Sequence, residues 1–151
     1  MSYKEWGNAT WYLIHTICFK LKPKYENNCH LILQEIFNIC ENLPCPDCRE
    51  HAMQTIQRTN YNIVKTREQL ISYFWMFHNK VNEKLDKPLI SREESDALYK
   101  LSNTDNIVNY FSRIMSANMR IERAMLGTYR RQQAIKKFMN FYKVNREWFA
   151  P

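Results

Sequence analysis

Apolar residues recur at three- and four-residue steps along nearly the whole chain, the spacing that places side chains on one face of an α-helix. The first segment with this pattern has Trp11, Ile14, His15, Cys18 and Leu21 on one face. The fourth segment has Leu70, Phe74, Phe77, His78, Val81 and Leu85 on one face. No segment shows the convincing alternation of a half-buried strand, so the pattern predicts an all-α fold.

Prolines and capping signals divide this pattern into separate helices. Pro23, Pro44 and Pro88 interrupt it, because proline lacks the backbone N–H that a helix interior needs. Ser91-Arg92-Glu93-Glu94 is typical of the capping box that opens a helix. After the first helix, we predict a second helix over about 27–41, a third that begins within 45–48 and ends near 58, and a fourth over about 66–85. A fifth helix is predicted to begin at 91, and two more are predicted over about 104–117 and 119–143.

Composition favours a packed helical domain. The 151 residues suit one domain, or one domain with a small appendage, and two glycines and five prolines leave little room for flexible linkers. No apolar run approaches the roughly 20 residues that span a bilayer. A membrane span is therefore not expected. The first residues contain no charged-then-apolar leader, so a signal peptide is not expected either.

The positive charge is concentrated in the second half of the chain. Of the net charge of +7, residues 1–88 contribute +2 and residues 89–151 contribute +5. A basic half could meet nucleic acid, an anionic membrane or an acidic protein. Composition alone favours a solvated helix face.

Cys45 and Cys48 form a CxxC pair at a predicted helix start. There the helix dipole and free N–H groups stabilise a thiolate, and the spacing lets the sulfurs close a disulfide that exchanges with an incoming thiol. Zinc sites also use CxxC, with His51 as a third ligand and His78 or Cys40 as a fourth. The residues leave both interpretations open.

A thiol pair passes electrons to oxygen efficiently only with a cofactor such as a flavin. Trp11 and His15 share one helix face, and His78, Val81 and Asn82 share another, so these groups could contact a flavin or simply pack in the core.

Three motifs, in order and in register, resemble the Erv/ALR family of FAD-linked sulfhydryl oxidases over about residues 3–88. The motifs are Trp6-Gly7-Asn8-Ala9-Thr10-Trp11 with Leu13-Ile14-His15-Thr16, then Leu43-Pro44-Cys45-Pro46-Asp47-Cys48, then His78-Asn79-Lys80-Val81-Asn82-Glu83-Lys84-Leu85 with Lys87-Pro88.

The resemblance implies a four-helix bundle with a short fifth helix, FAD at its mouth and a homodimer built on the first two helices. It implies an FAD-binding oxidase domain over residues 1–90 and a basic helical extension over 91–151. Cys45 would be the outer sulfur attacked by substrate, and Cys48 would lie beside the flavin C4a. No metal site is expected. The implied FAD-binding residues are Gly7, Trp11, His15, Cys48, Trp75, His78, Asn79, Val81, Asn82, Lys84 and Lys87.

The implied reaction oxidises thiols in protein substrates and reduces O2 to H2O2. Without a second cysteine pair, substrates would reach Cys45 directly. Leu43-Pro44 before the CxxC, and Leu89-Ile90-Ser91 after the third motif, look most like the oxidases of large cytoplasmic DNA viruses. This similarity implies a role in disulfide formation in viral proteins, in the host cytoplasm or the virion.

The last third has no assigned counterpart in the minimal family domain. Between residues 118 and 146, Glu122 is the one acidic residue against eight Lys and Arg. The segment could bind an acidic protein, contact nucleic acid through Arg130, Arg131, Lys136 and Lys137, or pack on the oxidase core or a second subunit. We favour packing with a dimer-stabilising role over nucleic-acid binding.

The other cysteines are expected to be reduced and structural. Cys18 is expected to be a buried thiol. Cys29 and Cys40 lie eleven residues apart on one predicted helix, too far to bond to each other. Two rival functions remain open: a zinc-stapled interaction module, and a virion scaffold that binds FAD but turns over poorly.

Overall fold

The computed structural model describes residues 3–121 and 125–151, with side chains described for 4–116 and 127–151. In these ranges the chain forms seven α-helices and no strand, which confirms the all-α prediction. Glu122 lies outside the described residues. The helices are α1 Tyr3–Lys20, α2 Cys29–Cys40, α3 Pro46–Gln57, α4 Arg67–Lys84, α5 Arg92–Lys100, α6 Thr104–Ile121 and α7 Met125–Val144.

The helix ends follow local chemistry. Thr66 and Gln69 form a reciprocal capping box at the start of α4. Ser91 accepts a hydrogen bond from the backbone N–H of Glu94 at 3.1 Å, which confirms the predicted start of α5 and the N-cap half of the predicted capping box. After α4, Asp86 has a φ of 56°, and this left-handed conformation turns the chain away from the helix axis.

A single hydrophobic cluster contains buried side chains from every α-helix of the described residues except α5. Residues of α1, α2 and α4 meet residues of α6 and α7 in it. Among its fully buried members are Leu13, Ile17, Ile32, Ile36, Phe74, Phe111, Phe138 and Phe149. The side chains that the sequence assigned to the apolar face of the first helix lie in or against this cluster, as predicted.

The C-terminal helices pack on the first two helices of the same chain. α6 lies along α1, and α7 lies against α2 and α6. The final segment is tied to the end of α1, because Lys22 N–H donates to Trp148 C=O at 2.8 Å and Ala150 N–H donates to Lys20 C=O at 2.7 Å. The C-terminal helices therefore pack on the first helices of their own chain, one of the arrangements that the sequence left open, and the favoured dimer-stabilising role stays a prediction.

The basic side chains of α7 do not all face solvent. Arg130 and Lys136 are exposed, and Nζ of Lys137 lies 3.9 Å from the buried carboxylate of Glu35. Arg131, by contrast, is 1% exposed. Its assignment as a possible phosphate contact is wrong, because a nucleic-acid backbone has no access to a guanidinium enclosed in the core.

The remaining cysteines are buried and reduced. Cys18, Cys29 and Cys40 are 1%, 1% and 4% exposed, and none is in a disulfide. Burial raises the pKa of Cys29 to about 11 and that of Cys40 to about 12. These values fit a structural role, since a thiol is reactive only as a thiolate.

Among the helices described, none combines the length and the apolar character that a membrane span requires.

Candidate redox and cofactor site

Cys45 and Cys48 lie at the N-terminus of α3, joined as a disulfide with their Cα atoms 5.1 Å apart. Cys45 is the N-cap residue, and its Sγ accepts a hydrogen bond from the backbone N–H of Cys48 at 3.2 Å. Pro46 occupies the first turn, where a missing N–H has little cost. On reduction, a thiolate on Cys45 would meet the positive end of the α3 dipole.

A cleft between α1, α3 and α4 opens beside this pair. Cys48 is part of its wall, whereas Cys45 is not. The lining is mainly apolar and aromatic, with a few polar groups. It comprises Trp6, Gly7, Thr10, Trp11, Ile14, Cys40, Leu43, Asp47, Cys48, His51, Ala52, Phe77, Val81, Lys84 and Leu85.

The residues of this cleft suit the ring system of a flavin. Gly7 is a buried part of the wall, and its missing side chain leaves room for a ring to approach the α1 backbone. Aromatic walls with few polar groups are typical of sites for planar heterocycles. The cleft also presents Cys48 to whatever it binds, so a two-electron acceptor held there would lie next to one cysteine of the disulfide.

Four rings form a continuous stack that starts at Trp11 in the cleft wall and continues behind it. Trp11 and His78 stack face to face, with ring centroids 3.9 Å apart and planes 7° apart. A hydrogen bond of 2.8 Å joins Nε2 of His15 to Nδ1 of His78, and the ring of His15 stacks on Tyr99 at 4.8 Å. The stack connects α1, α4 and α5 and holds the aromatic wall in place.

Both histidines of the stack are held neutral. Burial, followed by the charge of His78, lowers the pKa of His15 to about 3. Burial, followed by the nearby Lys87, lowers the pKa of His78 to about 4. A neutral pair can share one proton along their common hydrogen bond, with one ring donating and the other accepting.

The structure brings most of the predicted FAD-binding residues together. Gly7, Trp11, Cys48, Val81 and Lys84 line the cleft, and His15 and His78 stand directly behind it. Lys87 is exposed and close enough to His78 to influence its pKa.

Trp75 and Asn79 lie on another side of α4, and Asn82 does not line the cleft. The amide of Asn79 donates to Ile90 C=O at 2.9 Å and accepts from Ile90 N–H at 3.0 Å. Trp75 Nε1 donates to the same carbonyl at 2.8 Å, and Asn82 reaches Asn79 at 3.5 Å. These groups secure the chain after α4, and FAD contacts by them stay a prediction.

Several residues of the site were not predicted as cofactor neighbours, and besides apolar lining residues such as Phe77 they include Asp47, His51 and Tyr99. Asp47 and His51 line the cleft, and His51 lies three residues after Cys48 on α3, so helical spacing could have placed it beside the flavin. Tyr99 comes from α5, and no local signal relates it to His15. Only the tertiary fold brings these two rings together.

The zinc alternative has no ligand cluster in the part of the chain that the structure describes. No three His, Cys, Asp or Glu side chains lie together there in a way that could hold a metal ion. Cys45 and Cys48 instead bond to each other.

Comparison with known proteins agrees with this geometry. The model of the Erv1 / Alr family matches residues 8–111. The chain belongs to this family. The resemblance inferred from the three motifs is thereby confirmed.

Relatives of this Erv1/Alr protein include viral and plant enzymes. An FAD-linked sulfhydryl oxidase of African swine fever virus (isolate Tick/Malawi/Lil 20-1/1983) is 33% identical over 105 residues, which cover 68% of this chain and 87% of that one. A fowlpox virus protein named a probable FAD-linked sulfhydryl oxidase is 35% identical over 77 residues, 51% of this chain and 73% of that one. The FAD-linked sulfhydryl oxidase ERV1 of Oryza sativa subsp. japonica is 30% identical over 97 residues, 62% of this chain and 48% of that one. No solved structure matches the chain.

Proposed function

We propose that Cys45 and Cys48 are the redox centre through which this enzyme, an FAD-linked sulfhydryl oxidase, forms disulfide bonds in thiol-containing protein substrates. The observation that carries the proposal is the position of the pair, with one sulfur in the wall of the aromatic cleft and the other outside it. Family membership and the names of the relatives support the same activity.

Thiol exchange at this pair has a defined direction. A substrate thiolate attacks Sγ of Cys45, the Cys45–Cys48 bond breaks, and Cys48 leaves as a thiolate while a mixed disulfide forms. A second substrate thiolate then attacks the substrate sulfur of that mixed disulfide, which releases the oxidised substrate and a thiolate on Cys45. The N-terminus of α3 stabilises both thiolates.

FAD would be held by residues of the first 90 positions. Trp11, Val81 and Phe77 would contact the ring system, and Lys84 and His51 would supply polar contacts at the edge of the cleft. When bound there, FAD supplies the two-electron acceptor that couples re-oxidation of the cysteine pair to reduction of O2 to H2O2. Residues 91–151 would support this unit rather than bind FAD.

Single cysteine variants test the redox centre. Cys45→Ala and Cys48→Ala should each abolish oxygen consumption driven by dithiothreitol while the purified protein stays yellow with bound FAD. Cys29→Ala, which removes a buried thiol that does not line the cleft, should keep the activity. Full activity in either CxxC variant would refute the role of the pair.

The two CxxC variants also separate the roles of the sulfurs. Cys48→Ala should still form a mixed disulfide with oxidised glutathione, because Cys45 remains as the outer nucleophile and displaces one glutathione thiolate. Cys45→Ala should trap far less of the adduct, since Cys48 faces the cleft. Mass spectrometry of the intact protein measures both.

Viral relatives support a more specific context. We propose that the substrates are viral proteins whose disulfides form in the host cytoplasm or the virion. The homodimer on α1 and α2 stays a prediction. Since α6 and α7 cover parts of these helices, sedimentation equilibrium of the full chain is the direct test of a second copy.

A further inference from the structure

Arg131 occupies a position on α7 where an apolar side chain is expected. It heads the buried face of that helix, and it is the largest fully buried side chain among the described residues. A charged group is costly to bury unless its N–H groups are hydrogen-bonded. The other buried residues of this face are Ala134, Ile135, Phe138 and Tyr142.

The guanidinium of Arg131 binds the loop that leads into the CxxC. Its Nε donates to Asn42 C=O at 2.8 Å, and its Nη2 donates to Leu43 C=O at 3.5 Å. From the other side Arg49, the residue after Cys48, donates Nη1 to the same Leu43 carbonyl at 2.5 Å. The carbonyl of Leu43 is thus held between α7 and α3.

This anchor controls where Cys45 lies. Pro44 and Pro46 flank Cys45 and have no N–H to donate, so neither neighbour of Cys45 can be held through a backbone donor, whereas Arg131 holds the carbonyl groups of Asn42 and Leu43 just before them. Leu43 is two residues before Cys45, which puts their Cα atoms within roughly 7 Å of each other. A shift of the Leu43 carbonyl therefore moves the outer sulfur of the pair.

The anchor also places positive charge at the loop that leads into the Cys45–Cys48 pair. The two guanidinium groups are near neighbours, because both donate to the carbonyl of Leu43. Burial, followed by the charge of Arg49, lowers the pKa of the Arg131 guanidinium. Positive charge near a cysteine favours the thiolate over the thiol. Since thiolates form only when the Cys45–Cys48 disulfide is reduced, the two arginines stabilise the reduced pair.

We propose that Arg131 is a positioning residue for the Cys45–Cys48 pair, holding the loop before Cys45 and making the disulfide easier to reduce. This inference rests on the proposed role of the pair in thiol oxidation. Arg131 lies beyond residue 111, where the family match ends. The C-terminal extension therefore contributes to the redox site itself, in addition to covering α1 and α2.

Arg131→Met tests the proposal on the full-length, FAD-bound protein. Equilibration with reduced and oxidised glutathione should show that the equilibrium constant for reduction of the pair is about tenfold lower than in the wild type. This corresponds to a reduction potential about 30 mV more negative. The value of kcat/KM for dithiothreitol should fall in parallel. Arg130→Met removes the same charge from an exposed neighbour and should leave the potential unchanged.

Arg131→Lys tests the positioning role of Arg131 if Arg131→Met does not fold. Lysine keeps the charge but cannot donate to two carbonyls in the planar geometry of arginine, so the shift should be smaller and in the same direction. A wild-type potential in the Met variant, or in the Lys variant if only that one folds, overturns the proposal. Activity retained by Cys45→Ala would instead refute the proposed function, so the two failures are distinguishable.

Discussion

His15 and His78 are unusual at the residue scale, because two buried imidazoles lie together where neither readily takes up the second ring proton that makes it an imidazolium cation. They are neutral in the folded protein, with pKa values lowered by burial to about 3 and about 4. In the unfolded chain each would titrate near its ordinary value of about 6.5. Between these values the unfolded state binds more protons than the folded state, so acid favours unfolding.

The pair should therefore make stability depend on pH. The free energy of unfolding should be highest above about pH 6.5 and fall towards pH 4, by about 1.4 kcal/mol per pH unit for each fully titrating histidine. Urea unfolding at several pH values measures this slope. His78→Phe keeps a ring in the stack and should reduce the slope of the free energy of unfolding against pH. His30→Gln, at an exposed position, should leave this slope unchanged. An unchanged slope in His78→Phe would contradict this account of the pair.

At the scale of an element, α4 lines the cleft with one face and anchors the chain that follows it with another. One face presents Phe77, Val81 and Lys84 to the cleft. Another presents Asn79 and Trp75 to the backbone of Ile90, which fixes the connection between α4 and α5. This connection matters for the site, because α5 carries Tyr99, the ring that completes the stack with His15.

Asn79→Ala separates anchoring from cofactor binding. Loss of two hydrogen bonds to Ile90 should lower the free energy of unfolding by about 2 kcal/mol, while FAD still binds at saturating concentration. Chemical denaturation and the absorbance of bound flavin measure the two effects. Lys80→Ala, at the exposed neighbouring position, should change neither. Loss of flavin without loss of stability would make Asn79 an FAD ligand, as the family motif implies.

At the scale of the whole molecule, the extension and the first four helices share one core. Phe111 of α6 and Phe138 of α7 are fully buried and meet edge to face at 6.0 Å, in the same cluster as residues of α1 and α2. A small chain with one continuous core is expected to unfold in one cooperative step.

Phe138→Ala should accordingly destabilise the whole protein. Truncation of a buried aromatic side chain costs about 3–5 kcal/mol, and the loss should appear equally in helix content and in release of FAD. Circular dichroism and flavin fluorescence, followed together during denaturation, should show coincident transitions. The exposed Lys136→Ala serves as the matched control. Early loss of helix signal with flavin still bound would show instead that the extension unfolds on its own.

The sequence predicted most of the fold and the main features of the site. Helix positions follow from the 3.6-residue apolar period, from prolines and from caps, all of which act over a few residues. The pairing of Cys45 with Cys48, and the shared faces of Trp11 with His15 and of His78 with Val81, depend on the same short spacings. The family motifs then connected these separate faces to a single cofactor.

What the sequence by itself determined is therefore local: the seven helices of the described residues, the position of Cys45 at a helix N-terminus, and the residues that share a helix face. Only the tertiary structure decided that Arg131, which composition assigns to a solvated basic surface, is buried against the loop before Cys45. It likewise decided that Tyr99 stacks on His15 and that Asn79 binds Ile90. The physical reason is that such contacts join residues distant in the chain, and their free energy arises only when several helices pack together and exclude water.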